Sequence, residues 1–433
     1  MLICNCRIKP MSDILTPQGE GATSTPTHQN GSFLPENSKL FWLAVWTGAL
    51  TIVTLGIYRF WARTRMRRYI WSSIVAEGDS FEYTGTGLEK FLGFLIALVV
   101  LAVYLGVLQV VLSFIGFSLW GAISSKPNGP TDILMQLGAT YVTGLAVLPL
   151  IFFAQYRARR YMLSRTRWRG LRFSMDPAAV GYAWRALLYF GLPIVTLGAL
   201  MPLATFRLEK YMTDRMWYGD ASFEQEGQWT ALYGAMKHLF IAVGVLLLAG
   251  VITYWGQFVG FLPILLFAGY VWLLVGFIYY QVETFKYLTA HKVLDGQVRF
   301  TSQASCGRVI GIFVLGIILI TILTFVLSLI FVALFFVFPA LGSYGMNGGG
   351  AGAEIFGGSG LLGALVVVLG YFTSIVLIGA LVTVFISAPI LGHYVDTLRV
   401  ENSGQLEQIR QRAGDLMADA DGFADALDVG GAF

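Results

Sequence analysis

With 433 residues, of which 56% are hydrophobic and only 12% charged, the chain is excluded from the soluble multi-domain proteins, where charged residues run near a quarter. The net charge of +4 says little as a sum, because the charges are confined to a few loops, and no nucleic-acid partner is expected. Between those loops lie apolar runs longer than the roughly 20 residues that cross a ~30 Å hydrocarbon core, so the chain reads as an integral, multi-pass membrane protein.

In chain order, residues 1–38 are rich in Ser, Thr, Pro, Gly and Asn without an apolar h-region. They are expected to form a disordered tail without a cleavable signal peptide. Cys4 and Cys6 lie in that tail, and with Cys306 they make neither a disulfide framework nor paired Cys-x-x-Cys clamps. Apolar segments follow at about 40–58, 91–120, 133–155, 181–206, 236–258, 262–280, 308–341 and 361–391, which a simple count makes eight full spans. Arg and Lys cluster after the first, third, fourth and sixth segments, whereas 121–132, 259–261 and 342–360 carry almost no positive charge. Short cytoplasmic loops hold the Lys/Arg excess. Strict alternation of eight spans would strand the 207–235 and 281–306 loops outside. If 40–58 and 181–206 instead return to the side they leave, every basic loop falls inside, with both termini cytoplasmic. The expected architecture is therefore an all-α polytopic membrane protein with about six full transmembrane helices and two interrupted, half-inserted segments, eight full spans being the alternative. The Gly191-Leu-Pro193 interruption, Gly198 and Pro202 in 181–206, and Gly48 and Gly56 in 40–58, favour broken helices. Residues 39–400 form the membrane domain, and 401–433 an acidic C-terminal tail with seven acids against Arg410 and Arg412.

The stretch Thr54-Leu55-Gly56, through Arg59, Trp61 and Arg65 to Tyr69, is the first copy of an internal repeat. Thr196, Leu197, Gly198, Arg207 and Tyr211 match it without a gap, and Arg157 and Tyr161 match Arg65 and Tyr69 at another offset. Tyr287 begins a looser copy. Four times a tyrosine is followed by a glycine eight or nine residues on and a phenylalanine soon after, within repeats at about 40–90, 133–175, 181–235 and 262–302. Each unit reads as a helix leaving the membrane, a turn at glycine, and a short extended arm such as Ser80–Tyr83, 171–174 or 298–301. The arms are expected to cluster in one layer. Arginines with aromatic residues at a membrane exit suit topology anchoring or contact with anionic lipid headgroups, making the lipid bilayer the expected partner.

The residues Thr54-Leu-Gly-Ile-Tyr-Arg-Phe-Trp-Ala, then Arg67-Arg68-Tyr69, Gly78-x-x-Phe81 and Tyr83-x-Gly-Thr-Gly87, resemble the YjgN-like family of bacterial inner-membrane proteins, grouped under a domain of unknown function. The likeness extends over roughly 38–400. Phe60 stands where the family's motif has proline, and Pro202 holds that place in the second copy. The resemblance implies an inner-membrane location and brings no activity.

No catalytic constellation emerges, so no enzyme, cofactor or metal site is expected. His28, His238, His291 and His393 are scattered, and the glycines of 348–360 lack the ending of a phosphate-binding loop. Residues 91–120, 239–280, 309–341 and 361–391 contain no Asp, Glu, Lys, Arg or His, which counts against an ion-coupled carrier. Glu283 occupies the place of Arg65 and Arg207 and is expected to pair with one of them. Two functions remain open. One is transport of a small or amphipathic molecule along the interrupted segments. The other is a non-catalytic scaffold binding anionic lipid or a cytoplasmic partner through its arginine-aromatic arms.

Overall fold

In the computed structural model, residues 29–114, 129–255, 260, 262–344 and 358–412 are described. The tail before residue 29, the charge-poor connection 115–128, most of the glycine-rich linker and residues 413–433 lie outside the described residues. So do the expectations placed there.

Among the described residues, six helices are long and apolar enough to cross a membrane. They are α3 (Gly87–Phe114), α4 (Pro130–Ser164), α7 (Lys237–Trp255, preceded by a 3-10 turn Trp229–Met236), α8 (Leu262–Ala290), α9 (Cys306–Tyr344) and α10 (Gly358–Val382). The last runs through a π-helical turn, Thr383–Ser387, into α11 (Ala388–Asp396). The two segments expected to turn back form helical hairpins, α1 (Asn37–Val53) with α2 (Arg59–Ser72), and α5 (Ala179–Val195) with α6 (Met201–Thr213). A 17-residue limb is about 25 Å long, short of the hydrocarbon core.

Both hairpin tips are the same backbone device. In the first, Gly56 N–H donates to Thr51 O and Leu55 N–H to Ile52 O. In the second, Gly198 donates to Pro193 O and Leu197 to Ile194 O. These are the paired bonds of a Schellman helix end. The Thr54 hydroxyl donates to Leu50 O and accepts from Tyr58 N–H, and Thr196 repeats this with Leu192 and Leu200, so one side chain joins the end of one limb to the start of the next. Gly56 and Gly198 sit at φ +92° and +89°, where glycine is favoured. Leu55 and Leu197 also hold positive φ, at a cost of about 1 kcal/mol each, and are 94% and 95% exposed. An apolar side chain thrust out at a strained tip suits a tip that meets lipid.

Short strands gather at one end of the helices. They are β1 (Gln29–Asn30), β2 (Ser32–Phe33), β3 (Ile74–Ala76), β4 (Asp79–Ser80), β5 (Glu82–Tyr83), β6 (Thr166–Trp168), β7 (Leu171–Met175), β8 (Met216–Tyr218), β9 (Ala221–Gln225), β10 (Lys292–Leu294), β11 (Val298–Ser302) and β12 (Leu398–Glu401). Nine form one antiparallel sheet in the order β1-β12-β11-β10-β9-β8-β7-β6-β5, and β2-β3-β4 form a second. The arms at 171–174 and 298–301 thus lie in one sheet, while Ser80–Tyr83 is divided between the two, and each copy forms a two-stranded hairpin. The helix stops several residues before the glycine, and an unforeseen strand (β3, β6, β8 or β10) precedes the turn. Glu77-Gly78, Arg169-Gly170 and Asp295-Gly296 have positive φ at both positions, the type I′ pattern, whereas Gly219-Asp220 has it only at the first, as in type II′. That difference explains why glycine follows the tyrosine by nine residues in three copies and by eight in the other.

Two boundaries shift. Residues 29–33 of the expected tail pair with the sheets, β1 joining β12 so that the two ends of the membrane domain meet. Residues 403–408 form a 3-10 turn whose Leu406 is buried in the sheet's core, with Phe223, Leu294 and Val298. Because β2 precedes α1 and pairs with β3 after α2, and β7 precedes α5 and pairs with β8 after α6, each helical hairpin returns to the sheet side. Eight full spans are excluded by this pairing. Single cysteines at Glu77, Arg169, Asp220, Asp295 and Asn402, in a chain freed of its natural cysteines, are expected to react with an impermeant thiol reagent from one and the same side of the membrane. Labelling of any one from the opposite side would overturn the returning hairpins.

Candidate functional site

The recurrent tyrosine has a common use. Tyr69 Oη donates to Glu36 O and accepts from Glu36 N–H, and Tyr287 Oη does both with Gln228. Tyr211 Oη donates to Ala178 O. Glu36, Gln228 and Ala178 are the residues that begin the helical run pairing with the tyrosine's own. Tyr161 donates instead to the Glu89 carboxylate in the first turn of α3. Each second helix is thereby tied to the start of its first. A fifth unit does the same with a different side chain: Ser305 N–H, just before α9, donates to His393 Nε2 on α11 at 2.9 Å. Asn402, nine residues after His393, holds φ +61° where the other copies place the turn. The tyrosine pattern does not reveal this copy, because histidine replaces tyrosine.

What differs between the hairpins marks the candidate site. Arg59, Arg63 and Arg67 lie at i, i+4 and i+8 on α2, from the tip toward the sheet. Arg67 is buried, over the Tyr83 ring. Arg59 and Arg63 line a cleft of about 420 Å³ between the first hairpin and α10. Thr47, Gly48 and Thr51 of α1 and Ile375, Val376 and Gly379 of α10 form its walls, with Thr383 and Ser387 of the π-turn. The hydroxyls of Thr47, Thr51 and Thr383 donate to carbonyls of their own helices, Leu43, Thr47 and Gly379, and so present oxygen lone pairs to the cleft. In the second hairpin the matching positions are Tyr189, Phe190 and Pro193 for Thr47, Gly48 and Thr51, and Met201 and Thr205 for Arg59 and Arg63. The second hairpin keeps the turn and the tyrosine and carries none of these cleft groups. Sequence reasoning singled out Arg59 but not its partners on α10. Gly316 was a usable signal: a Cβ there would meet Phe385 O at 3.1 Å and Ile386, so it lets the π-turn approach α9 closely.

A family described as bacterial protein of unknown function (DUF898) matches residues 28–425, nearly the whole chain. The chain belongs to this family. Inner membrane protein YjgN of Salmonella typhimurium is 25% identical over 168 residues, 39% of this chain and 36% of that protein. Inner membrane protein YjgN of Escherichia coli K12 is 28% identical over 157 residues, 36% of this chain and 33% of that protein. The matched part is about a third of the length of these curated relatives. No solved structure matches the chain.

In this DUF898 protein the other motif residues are mainly constructional. Trp61 stacks near Tyr58 and packs on Phe91 of α3, against Gly87, where a Cβ would meet the indole at 2.7 Å. Phe60, in the motif's proline position, is buried between Phe91 and Phe94. It stands in the first turn of α2, where proline's missing N–H would cost nothing, so either residue fits. Arg65 lies over Tyr58, Arg157 over Phe153, and Arg207 is exposed. Glu283 does not meet Arg65 or Arg207. Its carboxylate pairs with Lys286 one turn along α8, at 3.0 Å.

The interlock that holds the copies together was not foreseen. Arg159 of α4 makes a bidentate contact with Glu209 of α6, both bonds at 2.8 Å, and Lys292 of β10 lies 3.6 Å from the same carboxylate. Burial raises the Glu209 carboxyl, but Arg159, aided by Lys292 and Thr213, outweighs it and holds the group well below the carboxylate range. Burial lowers the Lys292 ammonium by more than Glu209 restores. A depressed carboxyl stabilises the fold above its unfolded value near 4.5, and that stabilisation is lost as pH falls toward its folded value. Glu209→Gln is expected to lower stability by about 3 kcal/mol at pH 7, because it leaves two largely buried cations short of a partner. It should also flatten the loss of thermal stability between pH 5 and pH 3. A variant with the wild-type midpoint and acid sensitivity would refute this role.

Proposed function

We propose that this family member is a non-catalytic integral protein of the bacterial inner membrane. In this reading it binds an anionic amphiphile whose headgroup carries hydroxyls, in the cleft between the first hairpin and α10. The sheet and both termini are cytoplasmic, since the arginine-rich segments join the sheet side, and the names of the relatives support the inner membrane. The observation that carries the reading is the pair Arg59 and Arg63 lining a cleft beside apolar helix faces, in one hairpin of two built alike. Guanidiniums suit a phosphate, and the lone pairs of Thr47, Thr51 and Thr383 suit donor hydroxyls. Ile52, Ile375 and Val376 offer apolar contact to a chain.

A second reading, that the cleft passes its ligand onward, draws on the π-turn, a feature frequent at functional sites. Titrating the purified chain in detergent with phosphatidylglycerol, and following its thermal unfolding, tests the first reading. Arg59→Gln with Arg63→Gln should weaken the stabilisation about tenfold or more in lipid concentration, because two charge-assisted contacts are lost. An unchanged titration would sink the cleft as the binding site. Faster exchange of a fluorescent phosphatidylglycerol between the leaflets of proteoliposomes than of protein-free vesicles would favour passage, and equal rates would leave binding alone.

A further inference from the structure

The second hairpin carries a different charge arrangement, at the sheet-side start of α5 and independent of the cleft. Arg215 lies 3.7 Å from the centre of the Tyr211 ring and donates to Tyr211 O at 2.9 Å. Arg185, from the second turn of α5, lies 4.8 Å from the same ring centre and donates to Gly181 O at 3.0 Å. Among the described residues neither guanidinium has a carboxylate partner: Asp214, adjacent to Arg215, pairs with Lys210 and accepts from Gln225 N–H, and Asp176 meets Arg215 only through backbone.

The preceding copy supplies the comparison. There Arg165, four residues after Tyr161 as Arg215 is after Tyr211, lies 5.5 Å from its ring centre. Glu89 completes that group, accepting from Tyr161 Oη at 2.8 Å and pairing with Arg165 at 3.2 Å. Glu89 is the third residue of α3, and the third residue of α5 is Gly181. A Cβ at Gly181 would lie 2.5 Å from Tyr211 Oη and 3.2 Å from Arg185 Nη1. The third copy thus points the same tyrosine and arginine at the same place, adds a second arginine, and omits the carboxylate. Beside Arg185, the α5 face exposes Val180, Trp184 and Leu188, spaced for contact with acyl chains.

We propose that Arg185 and Arg215, around Tyr211, form a site for the phosphate of an anionic lipid headgroup, which supplies the negative charge that Glu89 supplies in the preceding repeat. Native mass spectrometry of the detergent-purified full chain, titrated with phosphatidylglycerol, phosphatidylcholine or inorganic phosphate, tests it. Beside any lipid held in the cleft, wild type should retain a phosphatidylglycerol whose affinity falls about tenfold or more in R185Q/R215Q. R165Q, whose counter-ion is internal, and R59Q/R63Q, which alters the cleft, should retain that molecule. R185K/R215K should recover part of the binding, and the single exposed R185Q covers the case in which the double variant does not fold. Undiminished binding in R185Q and R185Q/R215Q would overturn the site. Equal retention of phosphatidylcholine, or displacement of the lipid by millimolar inorganic phosphate, would overturn its assignment to an anionic lipid.

Discussion

A helix that turns back inside hydrocarbon must satisfy its own last carbonyls, because no water is there to do it. The Thr-Leu-Gly tip meets that demand locally. Two Schellman bonds close Thr51 and Ile52 in the first hairpin and Pro193 and Ile194 in the second, and the threonine hydroxyl bridges the limbs. Much else follows from this turn. Since the limb returns, its start and end lie on one side, and the strands that flank it can pair. Since they pair, the arms of successive units assemble edge to edge into a sheet that links the first described residues to β12.

Repetition separates construction from function. Features common to the copies, namely the turn, the tyrosine tie and the strand hairpin, are accounted for by backbone satisfaction and by helix ends that need partners. Features confined to one copy have no such account. Glu209 of α6 and Arg159 of α4 match Arg67 of the first copy, and their opposite charges turn equivalent positions into a bond between units. Arg59 and Arg63 face a cleft that the bulk of Tyr189 and Phe190 replaces in the other hairpin. The histidine at position 393 does the tyrosine's work with a ring nitrogen, so even a common contact can be met by different chemistry.

How much the sequence disclosed follows from the range of each interaction. The six spans and two returning segments were legible because apolar length and arginine placement are local, and Thr54-Leu-Gly56 because it recurs intact. The layer of arms was legible in outline, yet its strands are two to five residues long, too short for periodicity to define. Their partners come from other copies, as when Phe223 sits opposite Leu294. The cleft needed α1 and α10 side by side, more than 300 residues apart in the chain, and its threonines look like ordinary polar residues in apolar helices. Glu283 misled because the repeat fixed its position but not its rotamer, and Lys286 one turn away was nearer.

The depth of Arg59 sharpens what the cleft can do. It begins α2 at the hairpin tip, about 20 Å along the helix from Ser72 at the sheet end, and Arg63 follows one turn later. In the proposed reading, an anion reaching that depth meets two guanidiniums one helical turn apart. A small polar anion would forfeit its hydration to reach the tip. An amphiphile whose chain already lies in the bilayer brings its headgroup there with less desolvation, and the apolar wall of Ile52, Ile375 and Val376 receives the rest. In the proposed reading, depth as well as charge therefore favours a lipid-like ligand.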